Sequence, residues 1–149
     1  MIRKIIKLIS TFGGLGYSRI APGTAASLGA AAVYLIVKQN PALYAMITAA
    51  LLLAGFAVCG RAEELYGTRD ARPIVIDEVC GLLIALFLIP FSYPVLIIGF
   101  LLFRTMDIVK PFPIRRIENL SGSLGIMGDD ILAGIYANTI LRLALKFLS

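Results

Sequence analysis

The sequence predicts an all-α integral membrane helical bundle, with an N-terminal interfacial helix and a proline-broken helical hairpin. Three observations predict it. Apolar residues make up 59% of the 149 residues and mean hydropathy is +0.90, against the roughly 45–50% apolar content of soluble domains. Runs 20–37, 39–60 and 79–103 carry no charged side chain, and about 20 apolar residues suffice to cross a bilayer. Pro41, Pro90 and Pro94 punctuate these runs. A chain of this length is expected to form one domain over residues 1–149.

Each element follows in order. Residues 2–11 are amphipathic and basic, and Ser10–Gly16 breaks the pattern before any cleavage site, so this stretch is expected to be retained as the interfacial helix. A Gly-rich loop at 12–24 leads to an apolar helix from about Thr24 to Lys38, and a second helix is expected from Pro41 to about Arg61. A charged loop at 62–78 precedes the apolar region 79–103. Prolines 90 and 94 lack an N–H and restrict the residue before them, so this region is expected to turn back on itself. A polar segment at 104–130 and a last helix from about Ile131 complete the chain. Small residues four apart, Ala25/Gly29, Ala26/Ala30, Ala45/Ala49 and Ala50/Ala54, suit close helix packing in lipid.

An out-and-back hairpin puts both acidic segments on one side of the membrane. That side gathers Arg3, Lys4, Lys7, Arg19, Arg61, Arg69, Arg72, Arg104, Lys110, Arg115 and Arg116, against Lys38 in the opposite turns. Positive-inside bias makes it cytoplasmic. The net charge of +5 is thereby explained by topology, with no call for nucleic acid as a partner. The absence of His excludes histidine-based acid–base catalysis, histidine-ligated zinc and phosphohistidine chemistry. Cys59 and Cys80 lack metal-site spacing and read as buried thiols.

The remaining chemistry lies in the polar segments. Asp77-Glu78 and Asp129-Asp130 each stand just before an apolar run. Each pair alone reads as a helix cap, but two such pairs on one face repel unless a cation neutralises them. Hard oxygen ligands without His or thiolate favour Mg²⁺, so Asp77, Glu78, Asp129 and Asp130 are the expected metal residues. Arg104, Asp107 and Lys110 share a helical stripe ending at Pro111. In them Asp107 is the candidate to bind metal or orient water, and Arg104 and Lys110 the candidates for phosphate. Arg19 and Thr24, the latter as the cap of its helix, are further candidates for an anion seat. As bland alternatives, the stripe is a salt-bridge ladder and the loop an ordinary helix entry.

Four ordered blocks carry a resemblance: Ala21 to Leu28, Ile74 to Gly81, Phe103 to Ile114 and Gly125 to Gly134. Together they resemble the phosphatidylglycerophosphatase A family of bacterial membrane phosphatases. The resemblance implies a multi-pass enzyme of the bacterial inner membrane. It also implies magnesium-dependent removal of the terminal phosphate of phosphatidylglycerophosphate to leave phosphatidylglycerol; with it, the charge bias and the acidic pattern make Asp77, Glu78, Asp107, Asp129 and Asp130 the expected catalytic residues, at the cytoplasmic face. Neither cysteine has an Arg six residues on, and no Asp-x-Asp pair occurs. Metal-assisted attack by water is thus expected, and a covalent aspartyl-phosphate stays open beside it. The alternative from another class is a non-enzymatic cation-binding transporter or assembly subunit. Ionisable residues inside the spans would mark a cation path, and runs 20–37, 39–60 and 79–103 contain none.

Overall fold

The computed structural model describes residues 1–148, and Ser149, the end of the expected domain, lies outside them. The helices are α1 (Ile2–Ser10), α2 (Pro22–Val37), α3 (Pro41–Tyr66), α4 (Ile76–Ala85), α5 (Tyr93–Val109), α6 (Ile114–Glu118) and α7 (Ser123–Leu148), with a 3₁₀ turn at Leu15–Tyr17. No strand occurs among the described residues. The all-helical expectation therefore holds. Of these helices α3 alone is long and apolar enough to cross a membrane, whereas α2, also apolar, has 16 residues.

Helix α4 is the axis of the molecule. All of its residues are buried except Glu78 and Ile84, which are half-buried, and α2, α3, α5 and α7 surround it. Its apolar side chains face in every direction, which is why its sequence shows no amphipathic stripe. Close approach to α7 depends on small residues: a Cβ on Gly134 would strike the Gly81 carbonyl, and one on Gly81 would strike the Phe103 ring. Of the alanine pairs, Ala26 and Ala30 are buried in this core, whereas Ala49 and Ala50 are exposed.

The chain does reverse between α4 and α5, and α7 supplies the donors that make the reversal tolerable. The last carbonyls of a helix have no partner of their own. The Asn138 side-chain amide lies 3.1, 3.0 and 3.0 Å from the carbonyl oxygens of Ile84, Ala85 and Phe87. Arg142 donates to Phe87 at 2.8 Å and to Leu88 at 3.2 Å, and to the Asn138 Oδ1 at 2.7 Å. Helix α5 then starts at Ser92, whose Oγ accepts from the Val95 N–H at 3.3 Å, with Pro94 in its first turn.

Several boundaries differ from the sequence expectation. Helix α3 continues to Tyr66 before Gly67 ends it in a left-handed cap, so the charged loop is shorter than 62–78. Helix α2 begins at Pro22 behind Ala21, and Thr24 does not cap it. The polar segment 104–130 is mostly helical, because α5 runs on to Val109 and α7 starts at Ser123 rather than near Ile131. Gly125 and Gly128, before the expected start of the last helix, lie inside α7. A Cβ at Gly125 would strike the Leu120 carbonyl, and one at Gly128 would meet Ile117 at 2.6 Å, so both are packing positions beneath α6.

Candidate active site

The segments carrying charge meet at one end of the bundle. Val75 donates its N–H to the Ser10 carbonyl at 2.9 Å, the hydroxyls of Tyr17 and Tyr66 meet at 2.8 Å, and Arg72 donates to the Arg19 carbonyl at 3.3 Å. These contacts fix loop 67–75 beside loop 11–21. Under them lies a cavity of about 290 Å³ lined by the first turn of α2 and by Asp77, Glu78, Arg104, Asp107, Lys110, Asp129 and Asp130.

Asp77 and Glu78 stand in the first turn of α4 behind Val75. The Asp77 Oδ1 accepts the Glu78 N–H at 3.0 Å. Asp129 and Asp130 are well inside α7, so the capping explanation does not apply to them. Asp77, Glu78 and Asp130 each present a carboxylate oxygen within 4.8 Å of the others. Burial raises all three carboxyls above the ordinary carboxylate range. The neighbouring charge of Glu78 adds to the effect at Asp77, and that of Asp77 at Asp130, while Glu78 is pushed up to about 7. The Oε2 of Glu78 and the Oδ1 of Asp130 are buried without a hydrogen-bond partner.

These orphaned oxygens fit a divalent cation. Buried anionic oxygens are costly unless protonated or neutralised, and three carboxylates without nitrogen or sulfur donors suit Mg²⁺.

The other carboxylates are otherwise engaged. Asp129 is buried, its Oδ1 accepts the Asp130 N–H at 3.0 Å, and its Oδ2 lies 2.7 Å from the Lys110 ammonium. It lines the same cavity but is not one of the three carboxylates that lie within 4.8 Å of one another. Lys110 also contacts Glu118 at 2.6 Å. Burial alone would lower the lysine, but the hydrogen bonds to Asp129 and Glu118 outweigh it and raise it, so the ammonium stays charged. With both carboxylates on it, Lys110, at the end of α5, ties that helix to α6 and α7 while lining the cavity.

Arg104 is the cation that faces the group directly. Its Nη1 is 2.8 Å from Asp107 and 3.9 Å from Glu78. The contact with Asp107 lies off the hydrogen-bonding angle, so this buried Nη1 retains an unspent donor. Gly23 lets the start of α2 close over the pair, since a Cβ there would strike the Glu78 carboxylate and approach Arg104 to 3.3 Å. Thr24 is half-buried and Arg19 exposed, and neither lines the cavity. Asp70, Arg72 and Gly23 are among the lining residues that sequence reasoning missed. Their neighbourhood in the cavity is created by tertiary contact alone, although the charge of loop 62–78 marks the first two as solvated and available.

The model of the family "Phosphatidylglycerophosphatase A" matches residues 8–145. A protein of Bacteroides thetaiotaomicron described as "Putative phosphatidylinositol-3-phosphatase" is 38% identical, covering 92% of this chain and 91% of that protein. The "Phosphatidylglycerophosphatase A" of Haemophilus influenzae is 39% identical over 89% of this chain and 83% of its own. That of Escherichia coli is 35% identical over 90% and 80%. No solved structure matches the chain. A family model spanning nearly the whole chain, with identities of this size, makes the molecule a phosphatase, and the chain belongs to the phosphatidylglycerophosphatase A family.

Proposed function

We propose that this protein is a magnesium-dependent lipid phosphatase, hydrolysing phosphatidylglycerophosphate to phosphatidylglycerol and phosphate at the cytoplasmic face of a bacterial inner membrane. The observation that carries the reading is the buried group Asp77, Glu78 and Asp130, with orphaned carboxylate oxygens, in the same cavity as an arginine with an unspent donor. The relatives' names support the substrate class. Phosphatidylglycerophosphate and a phosphatidylinositol 3-phosphate both join a lipid phosphodiester to a terminal phosphate monoester, and the two names share that chemistry.

In this reading Asp77, Glu78 and Asp130 hold the cation. A bound Mg²⁺ supplies positive charge that stabilises phosphoryl transfer. Arg104 binds a non-bridging oxygen of the monoester through Nη1, where a charge-assisted bond in a dry site is strong. Asp107 aims the guanidinium with one oxygen, and its other oxygen orients the attacking water and accepts its proton as the bond from phosphorus to the glycerol oxygen breaks, that oxygen taking up a proton from solvent. Lys110 holds Asp129 away from the cation group, so that Asp130 and not Asp129 faces it.

A multi-pass arrangement is part of the proposal. The apolar parts of α2, α3, α5 and α7 and the α4 hairpin form its membrane portion, with the carboxylates at the polar boundary outside those apolar segments. The exposed apolar side chains Leu53, Ile97, Leu101 and Leu143, each more than half exposed, support it. The α4 reversal is consistent as well, because its carbonyls are satisfied from within the protein.

Phosphate release by the purified protein tests the reading. Release from phosphatidylglycerophosphate that stops on chelation and returns with Mg²⁺ is the expected result. Unchanged release in chelator removes the metal, release from phosphatidylinositol 3-phosphate alone changes the headgroup, and release from neither removes the lipid phosphatase assignment.

A further inference from the structure

Three basic side chains line the cavity: Lys110, Arg104 and Arg72. Two of them already have carboxylate partners. Lys110 sits between Glu118 and Asp129 at 2.6 and 2.7 Å, and Arg104 stands against Asp107 at 2.8 Å with Glu78 at 3.9 Å. Arg72 has no carboxylate within 4 Å among the described residues. Its one hydrogen bond goes to a neutral acceptor, the Arg19 carbonyl, from Nη2 at 3.3 Å. That bond steadies the side chain at the exposed rim and leaves its remaining donors and its full charge uncommitted. It also brings the Arg19 segment to the same rim.

The cation position of the proposed function, with Arg104, at the carboxylate end of the cavity, and the uncommitted guanidinium at its exposed rim, form two anion-seeking positions in one space of about 290 Å³. A lone phosphate monoester fills the first and has no use for the second. A headgroup with a monoester at its tip and a phosphodiester nearer the lipid uses both. We propose that Arg72 forms a second phosphate subsite, which binds the phosphodiester of the lipid substrate while its terminal monoester enters the carboxylate end. The inference rests on the substrate class proposed above. The Arg72 guanidinium touches the substrate away from the reacting atoms, so it sets affinity and headgroup choice more than chemistry. A guanidinium offers the paired donors that two phosphodiester oxygens accept. Its exposure makes the contact modest, about 1 kcal/mol, or roughly fivefold in binding.

The test follows dephosphorylated lipid by mass spectrometry in mixed micelles of detergent and phosphatidylglycerophosphate, with inorganic phosphate as a competitive inhibitor. The KM reports both subsites, and the Ki of phosphate reports the inner one alone. Arg72→Gln is expected to raise KM about fivefold with kcat within about twofold of wild type and the phosphate Ki unchanged, and Arg72→Lys to recover most of the loss. The exposed Arg115, outside the cavity, provides Arg115→Gln as a control for net charge, expected to leave KM unaltered. A rise in KM matched by an equal rise in Ki, an equal rise in the Arg115 variant, or no rise at all overturns the subsite. A wild-type protein that leaves phosphatidylglycerophosphate intact instead overturns the substrate reading, and the subsite falls with it.

Discussion

At the scale of single residues, the carboxylate group is a conflict held in place by the fold. Asp77, Glu78 and Asp130 are brought within 4.8 Å of one another, and burial and mutual charge raise their pKa values. Glu78, at about 7 in the folded protein against an ordinary value of 4.5, takes up a proton more readily folded than unfolded. Its stabilising contribution without metal is therefore complete below pH about 4.5 and is lost as pH rises through about 7. Thermal unfolding of chelated protein should accordingly show a melting temperature that falls between pH 5 and 8, with Mg²⁺ restoring more at pH 8 than at pH 5. A melting temperature independent of both would mean that these acids are neutralised by something else. Asp130→Asn removes a hard ligand and one repelling charge together. Turnover is expected to drop at least about 100-fold, as is typical for loss of a metal-site group, while the chelated variant melts no lower than chelated wild type.

Lys110 shows how a residue can be legible in type while its partners are not. Its stripe with Arg104 and Asp107 is visible in the sequence, yet its ammonium is committed to Asp129 and Glu118. Spacing along one helix carries no information about acids arriving from α6 and α7. Lys110→Met strands the buried Asp129 carboxylate, so a loss of roughly 3 kcal/mol is expected, as for breaking other buried pairs. Lys110→Met combined with Asp129→Asn should recover most of it in denaturant unfolding. An additive double variant would show that the two side chains do not interact.

At the scale of elements, the hairpin that joins α4 to α5 stands on α7. Its proline punctuation was readable, and so was the reversal; that Asn138 and Arg142 hold the carbonyls at its apex was not. They lie about 50 residues further along the chain, in a helix whose own pattern gives no reason to single them out. Asn138→Leu keeps similar bulk and removes one donor from each of three carbonyls, leaving that of Ala85 bare while Arg142 still reaches Phe87 and the Phe87 N–H still reaches Ile84. The expected cost is roughly 2 kcal/mol, chiefly from the one buried acceptor left unsatisfied, with hydrogen exchange rising first at residues 84–88. Exchange unchanged there would assign the hairpin's stability to packing alone. The early start of α7 has a similar lesson. Glycines 125 and 128 signal flexibility in a sequence but meet α6 closely here, and the helix they belong to carries Asp129 and Asp130 into the cavity instead of capping an end.

At the scale of the whole molecule, the fold gathers chemistry from four distant segments around one buried helix. The paired acids, the Arg104 stripe and the all-α architecture were legible because they depend on residue type and local period. The inclusion of Asp70 and Arg72 in the cavity depends on how loops 11–21 and 67–75 meet, and the pairing of Asp129 depends on how α7 meets the end of α5. A second cavity of about 330 Å³, lined by Glu63, Asp70, Glu118 and Asp129 among others, supplies a natural rival for a cation. The two locations are separated most directly by anomalous diffraction from crystals soaked in Mn²⁺, an ion that takes the same oxygen ligands as Mg²⁺. A peak about 2.0–2.3 Å from carboxylate oxygens of Asp77, Glu78 and Asp130 is the predicted result; a peak among Glu63, Asp70 and Glu118, or none at a Mn²⁺ concentration that saturates phosphate release, would contradict the account.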